Sequence, residues 1–139
     1  MKETAKTVLS RAKTGTLSVV DFETGTPFGA LVNVATDETG LPLFLFSKLA
    51  RHTKSLLINP AASLLVAELP EQGDALTGFR ATITGTLSEV KIDPALYLTK
   101  HPYAEMYVGF GDFGFWRMSP QKIYVVAGFG RIQSFNWED

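Results

Sequence analysis

Apolar residues recur along this chain at two periods. Over residues 2–13, Ala5, Val8, Leu9 and Ala12 come at three- and four-residue steps, while Lys2, Lys6, Arg11 and Lys13 fall elsewhere. That is the pattern of a helix with one buried face, and Thr14-Gly15 ends it. The period then shortens towards two. Residues 17–22, 28–36 and 41–47 are rich in β-branched and aromatic side chains, and Glu23-Thr24-Gly25-Thr26-Pro27 and Asp37-Glu38-Thr39-Gly40 separate them as turns. Loops this short cannot make parallel crossovers, so an antiparallel meander is expected. Residues 48–59 read as a second helix, stopped at Asn59-Pro60. Strands are predicted over 62–69 and 79–90, the latter alternating through Ala81, Ile83 and Gly85, with a polar loop at 70–77 between them. Asp93-Pro94 opens a helix that runs to about residue 100. A short helix follows over 104–108, then strands over 116–118 and 123–128.

Six to seven strands with a few short helices predict a mainly β protein, a small antiparallel barrel in one domain. Its expected parts are an N-terminal helix (1–14), a barrel core (15–131) and a tail (132–139). The 139 residues suffice for one core without staples. Apolar residues at 45% and charged residues at 19% exclude a disordered chain. A net charge of −1 argues against nucleic acid held by bulk positive charge. The absence of cysteine excludes disulfides, thiolate catalysis and Cys-ligated zinc. No run approaches the roughly 20 apolar residues of a membrane span. The charged start lacks an apolar signal region, so a cytoplasmic location is expected and no membrane partner.

Candidate chemistry is sparse. Gly109-Phe110-Gly111-Asp112-Phe113-Gly114 fits G-x-G-x-x-G, but a helix is expected before it and a strand after it, the reverse of a dinucleotide loop. It belongs to a stretch, from Tyr103 to Trp116, that holds six of the chain's aromatic residues. Only two histidines occur, His52 and His101, far apart and without acidic residues at ligand spacing, so no metal site is expected. No Gly-x-Ser-x-Gly elbow is present. The segment from Ser47 to Ser55 is the most informative. It sits where a strand hands over to a helix and carries Lys48, Arg51, Lys54, His52 and three hydroxyls. Such a set suits a lone phosphate, and it equally suits a solvated helix face. Arg80 and Arg131 are each either strand-end surface charges or groups reaching into a shared cleft.

The run from Phe44 through Leu49-Ala50-Arg51-His52-Thr53-Lys54-Ser55-Leu56 to Asn59-Pro60 and Ser63-Leu64-Leu65, followed by Arg80, Gly85, His101-Pro102, Phe110-Gly111-Asp112-Phe113 and Gly128-Phe129-Gly130, resembles the pyridoxamine 5′-phosphate oxidase-related flavin-binding proteins. It is most similar to their HugZ/HutZ-type haem-utilisation branch. It departs at Ser55 and Asn59, where that branch usually has Asn and often has Asp. The resemblance implies a six-stranded split barrel, paired as a homodimer, with FMN or another small molecule in a cleft between subunits. It places Arg51 and His52 on the FMN phosphate with Thr53 and Lys54 beside them, and Phe46 and Ser47 by the ring and its tail. It places Ala30, Leu31, Val32 and Asn33 along the isoalloxazine edge, although the oxidases have Arg where this chain has Ala30. Arg80 would reach flavin from the facing subunit, and Arg131 falls near a late Arg of the oxidases. The oxidases' C-terminal substrate motif is absent, so a genuine pyridoxamine 5′-phosphate oxidase is not expected; an FMN-binding flavoprotein is, with a flavin-dependent oxidoreductase on an unknown small substrate left open. The branch implies haem as the alternative ligand, with only His52 and His101 to offer imidazole and without the branch's C-terminal extension. A cofactor-free binding module on the same fold is the third reading.

Overall fold

The second predicted strand does not run through. In the computed structural model, which describes residues 1–138, it breaks at Val34. The helix α1 (Lys2–Arg11) leads into a hairpin of β1 (Thr14–Val20) and β2 (Pro27–Asn33). Beyond the break, β3 (Ala35–Thr36) pairs with β4 (Pro42–Ser47), and β4 pairs with β7 (Phe113–Ala127) rather than with β2. Helix α2 (Arg51–Ile58), β5 (Ala61–Glu68) and β6 (Phe79–Val90) intervene, and β8 (Ile132–Asn136) follows. The result is one curled antiparallel sheet in the order β2-β1-β5-β6-β7-β4-β3, with β8 on β7. The expected meander is therefore two hairpins that part company.

Eight strands replace the expected six to seven for three reasons. The break at Val34 divides one predicted strand in two. The predicted strands at 116–118 and 123–128 are one strand, β7. Residues expected as a tail pair with β7 as β8. β7 was hard to see because its inward side changes parity: Trp116 and Met118 are buried, then Ile123 and Val125. The slip is a bulge, since Gly85 faces Pro120 while Thr84 faces Lys122. Pro120 is tolerated there because the ladder is already interrupted. Gly85 is required by the close approach, as a Cβ would stand 2.1 Å from the Ser119 carbonyl oxygen. The carbonyl of bulge residue Gln121 accepts from the Trp137 amide at 2.8 Å.

The sheet is covered on both faces near the break. Leu17, Phe44, Leu64, Ile83, Met118 and Val125 form the main core with Val34. Ala5, Val8 and Leu9 of α1 close one side of it, as their spacing predicted. Each of these side chains larger than alanine contributes roughly 1.5–3 kcal/mol by burial. A smaller core of Ala35, Leu43, Tyr97 and Ala104 lies on the other face, beneath α3 (Ala95–Leu98) and a 3₁₀ turn (Pro102–Met106). Lys100 ties this cover to α1 by donating to the carbonyls of Ser10 and Ala12.

His101 is the pin of the smaller core. It is fully buried, and its Nε2 lies 2.8 Å from the carbonyl oxygen of Val34. A carbonyl can only accept, so Nε2 carries the proton and Nδ1 accepts from the Tyr103 hydroxyl. Burial, aided by Lys100 and Lys13, pushes the imidazole's pKa below its usual value. The unfolded chain therefore binds this proton more readily. The stability held by neutral His101 is complete above about pH 6.5 and falls as the pH drops below that. The wild-type protein is expected to lose thermal stability between about pH 6.5 and 5, before ordinary carboxylates titrate. His101→Gln, which keeps a donor for Val34, should be less stable at pH 7.5 but flatter across that window. An unchanged slope in the variant would contradict this role.

Candidate functional site

Because β2 and β4 separate at Val34, a gap opens between them. It forms a pocket of about 230 Å³. Leu31, Val32 and Asn33 come from β2, Leu45, Phe46 and Ser47 from β4, and Ala50 and His52 from the start of α2. Six of the expected site residues thus share one pocket. Apolar Leu31, Val32, Leu45, Phe46 and Ala50 line it together with polar Asn33, Ser47 and His52, a mixture that suits a flat ring with a polar edge. The Asn33 side chain is hydrogen-bonded to the Tyr97 hydroxyl, which fixes the end of β2. Ala30 packs against the main core instead.

The handover from β4 to α2 is built by short bonds. Ser47 Oγ accepts from the Leu49 amide at 3.1 Å and donates to the Asp112 carboxylate at 3.3 Å. The Lys48 amide donates to the Asp112 carbonyl at 2.6 Å. Ala50 provides no side-chain cap to α2, so the first-turn amides lack a side-chain acceptor. Two buried polar atoms in that turn also lack partners: His52 Nε2 and Thr53 Oγ1. An unpaired buried group costs about 1–3 kcal/mol, which a ligand could recover. The His52 ring stands edge-on to Phe46, with centroids 4.4 Å apart, and burial lowers its pKa. The imidazole is accordingly neutral at pH 7. His101, with both nitrogens engaged and no exposure, is spent on the fold.

Arg51 is held differently from expectation. Its Nε and Nη2 bond to Asp21 at 2.5 and 3.0 Å, and Nη2 also meets Glu23 at 3.1 Å. The guanidinium lies over the rings of Phe22 and Phe28. Asp21, at the β1 end of the hairpin turn, is buried and also accepts from the amides of Glu23 and Thr24 and the Thr24 hydroxyl. The Arg51 guanidinium holds the Asp21 carboxyl well below the usual carboxylate range. Buried Ser55 accepts from the Phe22 amide at 3.1 Å, so α2 and the hairpin turn are joined twice. The departure at Ser55 is thus a docking contact. Asp21 and Asp112 were not singled out from sequence. The signal for Asp21 was an acid ending an apolar strand with Thr three residues on, the pattern of a side chain that caps its own turn. The signal for Asp112 was its place in the Phe110-Gly111-Asp112-Phe113 run that carries the family resemblance.

Lys54 is exposed on α2, next to buried Thr53. Arg80 and Arg131 do not reach the pocket within one chain. Arg80 pairs with Val126 near the far end of β7 and donates to the Leu76 carbonyl, and Arg131 sits in the β7–β8 turn. The pocket adjoins the β4 end of the same strand, where Ser47 faces Phe113. A larger cleft of about 500 Å³, lined by Glu89, Lys91, Phe113 and Phe115 among others, holds none of the expected residues. Among the described residues no three His, Asp or Glu gather as metal ligands, and no helix is long and apolar enough to cross a membrane.

The family model for the CREG β-barrel matches residues 2–139. The chain belongs to the CREG β-barrel family. This places it in the FMN-binding split-barrel superfamily that the motif order suggested. The chloroplastic non-canonical haem oxygenase HOZ of Arabidopsis thaliana is 42% identical over 132 residues, covering 91% of this chain. The chain spans only 40% of that relative's length. A haem-binding protein from Mycobacterium smegmatis is 27% identical with a TM-score of 0.91, covering 99% of this chain and 58% of that one. HutZ, the haem storage protein from Vibrio cholerae, is 24% identical with a TM-score of 0.67 over 88% of this chain and 92% of that one, a likeness of fold alone.

The Asp21–Arg51 bond gives a test of how the site is held. Asp21→Asn should lower the thermal midpoint at pH 7 by several degrees. The stability from a carboxylate with a depressed pKa is present above about pH 3.8 and lost as the pH falls towards its lowered value. The gap between wild type and variant should therefore narrow steadily below pH 4. A gap that is constant from pH 7 to pH 3 would contradict the ion pair's role.

Proposed function

We propose that this chain binds haem in the pocket between β2, β4 and α2, as a pair of copies that close the pocket together. One observation carries the reading: of two imidazoles, only His52 stands at a pocket, neutral and with an unpartnered nitrogen. Apolar Leu31, Val32, Leu45 and Phe46 suit a flat macrocycle, and His52 would hold its iron. Bound haem supplies an iron centre with a position for that imidazole. The 42% identical relative, named a haem oxygenase, supports the ligand.

The pairing rests on the sheet's outer face. Leu31, Thr16, Leu65, Thr82, Tyr124 and Ser134 lie in one row across six strands. Leu31 is 78% exposed and belongs to both this row and the pocket. A second copy against the row would cover exposed Leu31, Leu65 and Tyr124 and close the pocket's open side. Arg80 and Lys122 are the charges of the three central rows, with no acid among them. Brought over by the partner copy, they would meet an anionic edge.

FMN is the second reading, favoured by the uncapped first turn of α2 with the unpartnered Thr53 hydroxyl and Lys48 and Lys54 nearby. Against it stand Ala30 and the commitment of Arg51 to Asp21 and Glu23.

Haemin titrated into the purified protein should give a shifted Soret band at micromolar concentration, and His52→Ala should weaken binding at least about tenfold. No Soret shift in wild type, with the fluorescence of FMN quenched on adding the protein instead, would replace haem with FMN. Leu65→Glu, outside the pocket, should yield single copies that bind haemin at least about tenfold more weakly. A variant that stays paired, or single copies that bind equally well, would contradict a shared site.

A further inference from the structure

The aromatic stretch before β7 has no part in the reading above. Its base is anchored twice at the pocket rim: the Lys48 amide and Ser47 hydroxyl both bond to Asp112, and Ser47 lines the pocket. The other end is anchored by Tyr107, which packs in the smaller core and against Phe113, centroids 4.9 Å apart. Between these anchors lie Val108, Gly109, Phe110 and Gly111. Phe110 is 57% exposed and meets Phe113 only at 6.2 Å.

The two glycines flanking Phe110 are not explained by the conformation present. Neither has a positive φ. A Cβ on either would meet nothing within 4 Å. Alanine would fit both positions and would stabilise them by restricting the chain. Glycine where neither backbone nor packing requires it points to a second conformation of the segment. The hydrogen bonds across the segment are local: the Val108 amide to Ala104, the Phe110 amide to Tyr107 and the Phe113 amide to Phe110, at 2.9, 3.0 and 3.1 Å. They can break without disturbing the sheet.

We propose that residues 108–111 form a lid, hinged at Gly109 and Gly111, that carries the Phe110 ring over a flat ligand in the β2–β4–α2 pocket. The lid rests on the pocket reading given above. It explains an exposed aromatic ring between two glycines, two residues before the Asp112 that bonds to pocket-lining Ser47. A ring laid on a flat conjugated ligand contributes by stacking beyond its buried area and acts mainly on the rate of release.

Two measurements test it. In the ligand-free protein, hydrogen exchange at the Phe110 and Phe113 amides should be faster than at Val125 of the sheet. Gly109→Ala/Gly111→Ala should slow it about tenfold, as fewer open conformations are reached. Unchanged exchange in the double variant would overturn the hinge. With haemin bound, Phe110→Ala should release it to an excess of scavenger about tenfold faster, with the wild-type melting temperature and pairing kept. Unchanged release, or a variant that falls into single copies because Phe110 belongs to the seam, would overturn the lid. If wild type binds neither haemin nor FMN, the pocket reading fails and takes the lid's ligand with it, while the exchange experiment still decides the hinge.

Discussion

The site depends on one divergence in the backbone. At Val34 the chain leaves β2 and starts β3, so one edge stays with β1 and the other with β4. A buried carbonyl released from a ladder needs a new donor, and His101 Nε2 supplies it. The Val34 amide is met by the Lys13 carbonyl at 3.0 Å. Val34 faces the main core while Ala35 faces the smaller one, so both sides of the break are buried. Without these partners the strand would run on and β2 and β4 would close the gap. The opening in the barrel is thus offset by the smaller core, in which Ala35 and Leu43 of the sheet pack against Tyr97 of α3 and Ala104 of the 3₁₀ turn.

The same logic sorts the polar residues into those that hold the fold and those left for a ligand. His101 is committed on both nitrogens. Arg51 is committed to Asp21, and Ser55 to the amide that follows Asp21. Asp37 caps its own turn through Thr39 and Leu41 and lies 3.0 Å from Arg117. That contact is an ion pair off the hydrogen-bond axis, since Arg117 Nε makes no hydrogen bond. What remains unsatisfied is concentrated in the first turn of α2, at His52 and Thr53. A near-neutral chain can therefore present a local ligand site, because its basic residues there are divided between structural pairs and open positions.

Much of this was legible in the sequence. The helix periodicity of α1, the alternation of β6 and the turn residues after β1 and before β4 each act locally, so each appears in a short window. The handover from Ser47 to Ser55 was recognisable for the same reason, and it does line the pocket through Ser47 and His52. The break at Val34 was not legible, because the alternation of Val32 and Val34 continues across it and the deciding donor is 67 residues away. The continuity of β7 was hidden by the bulge at Gln121, which shifts its parity. The commitment of Arg51 was hidden too, since its acid lies 30 residues upstream. Long-range partners, not propensities, decided all three. Arg80 and Arg131 lie away from the pocket within one chain, so a role there for Arg80 rests on the proposed second copy.

The central claim is that one flat ligand is held by two copies at the β2–β4–α2 pocket. Sedimentation velocity with haemin, followed at the Soret wavelength, tests it most directly. Haem absorbance should move with a species of about twice the 15.2 kDa chain mass, and this species should be lost together with the bound haem when the sheet face is disrupted. Soret absorbance travelling with single chains, or remaining free while paired protein sediments, would contradict it.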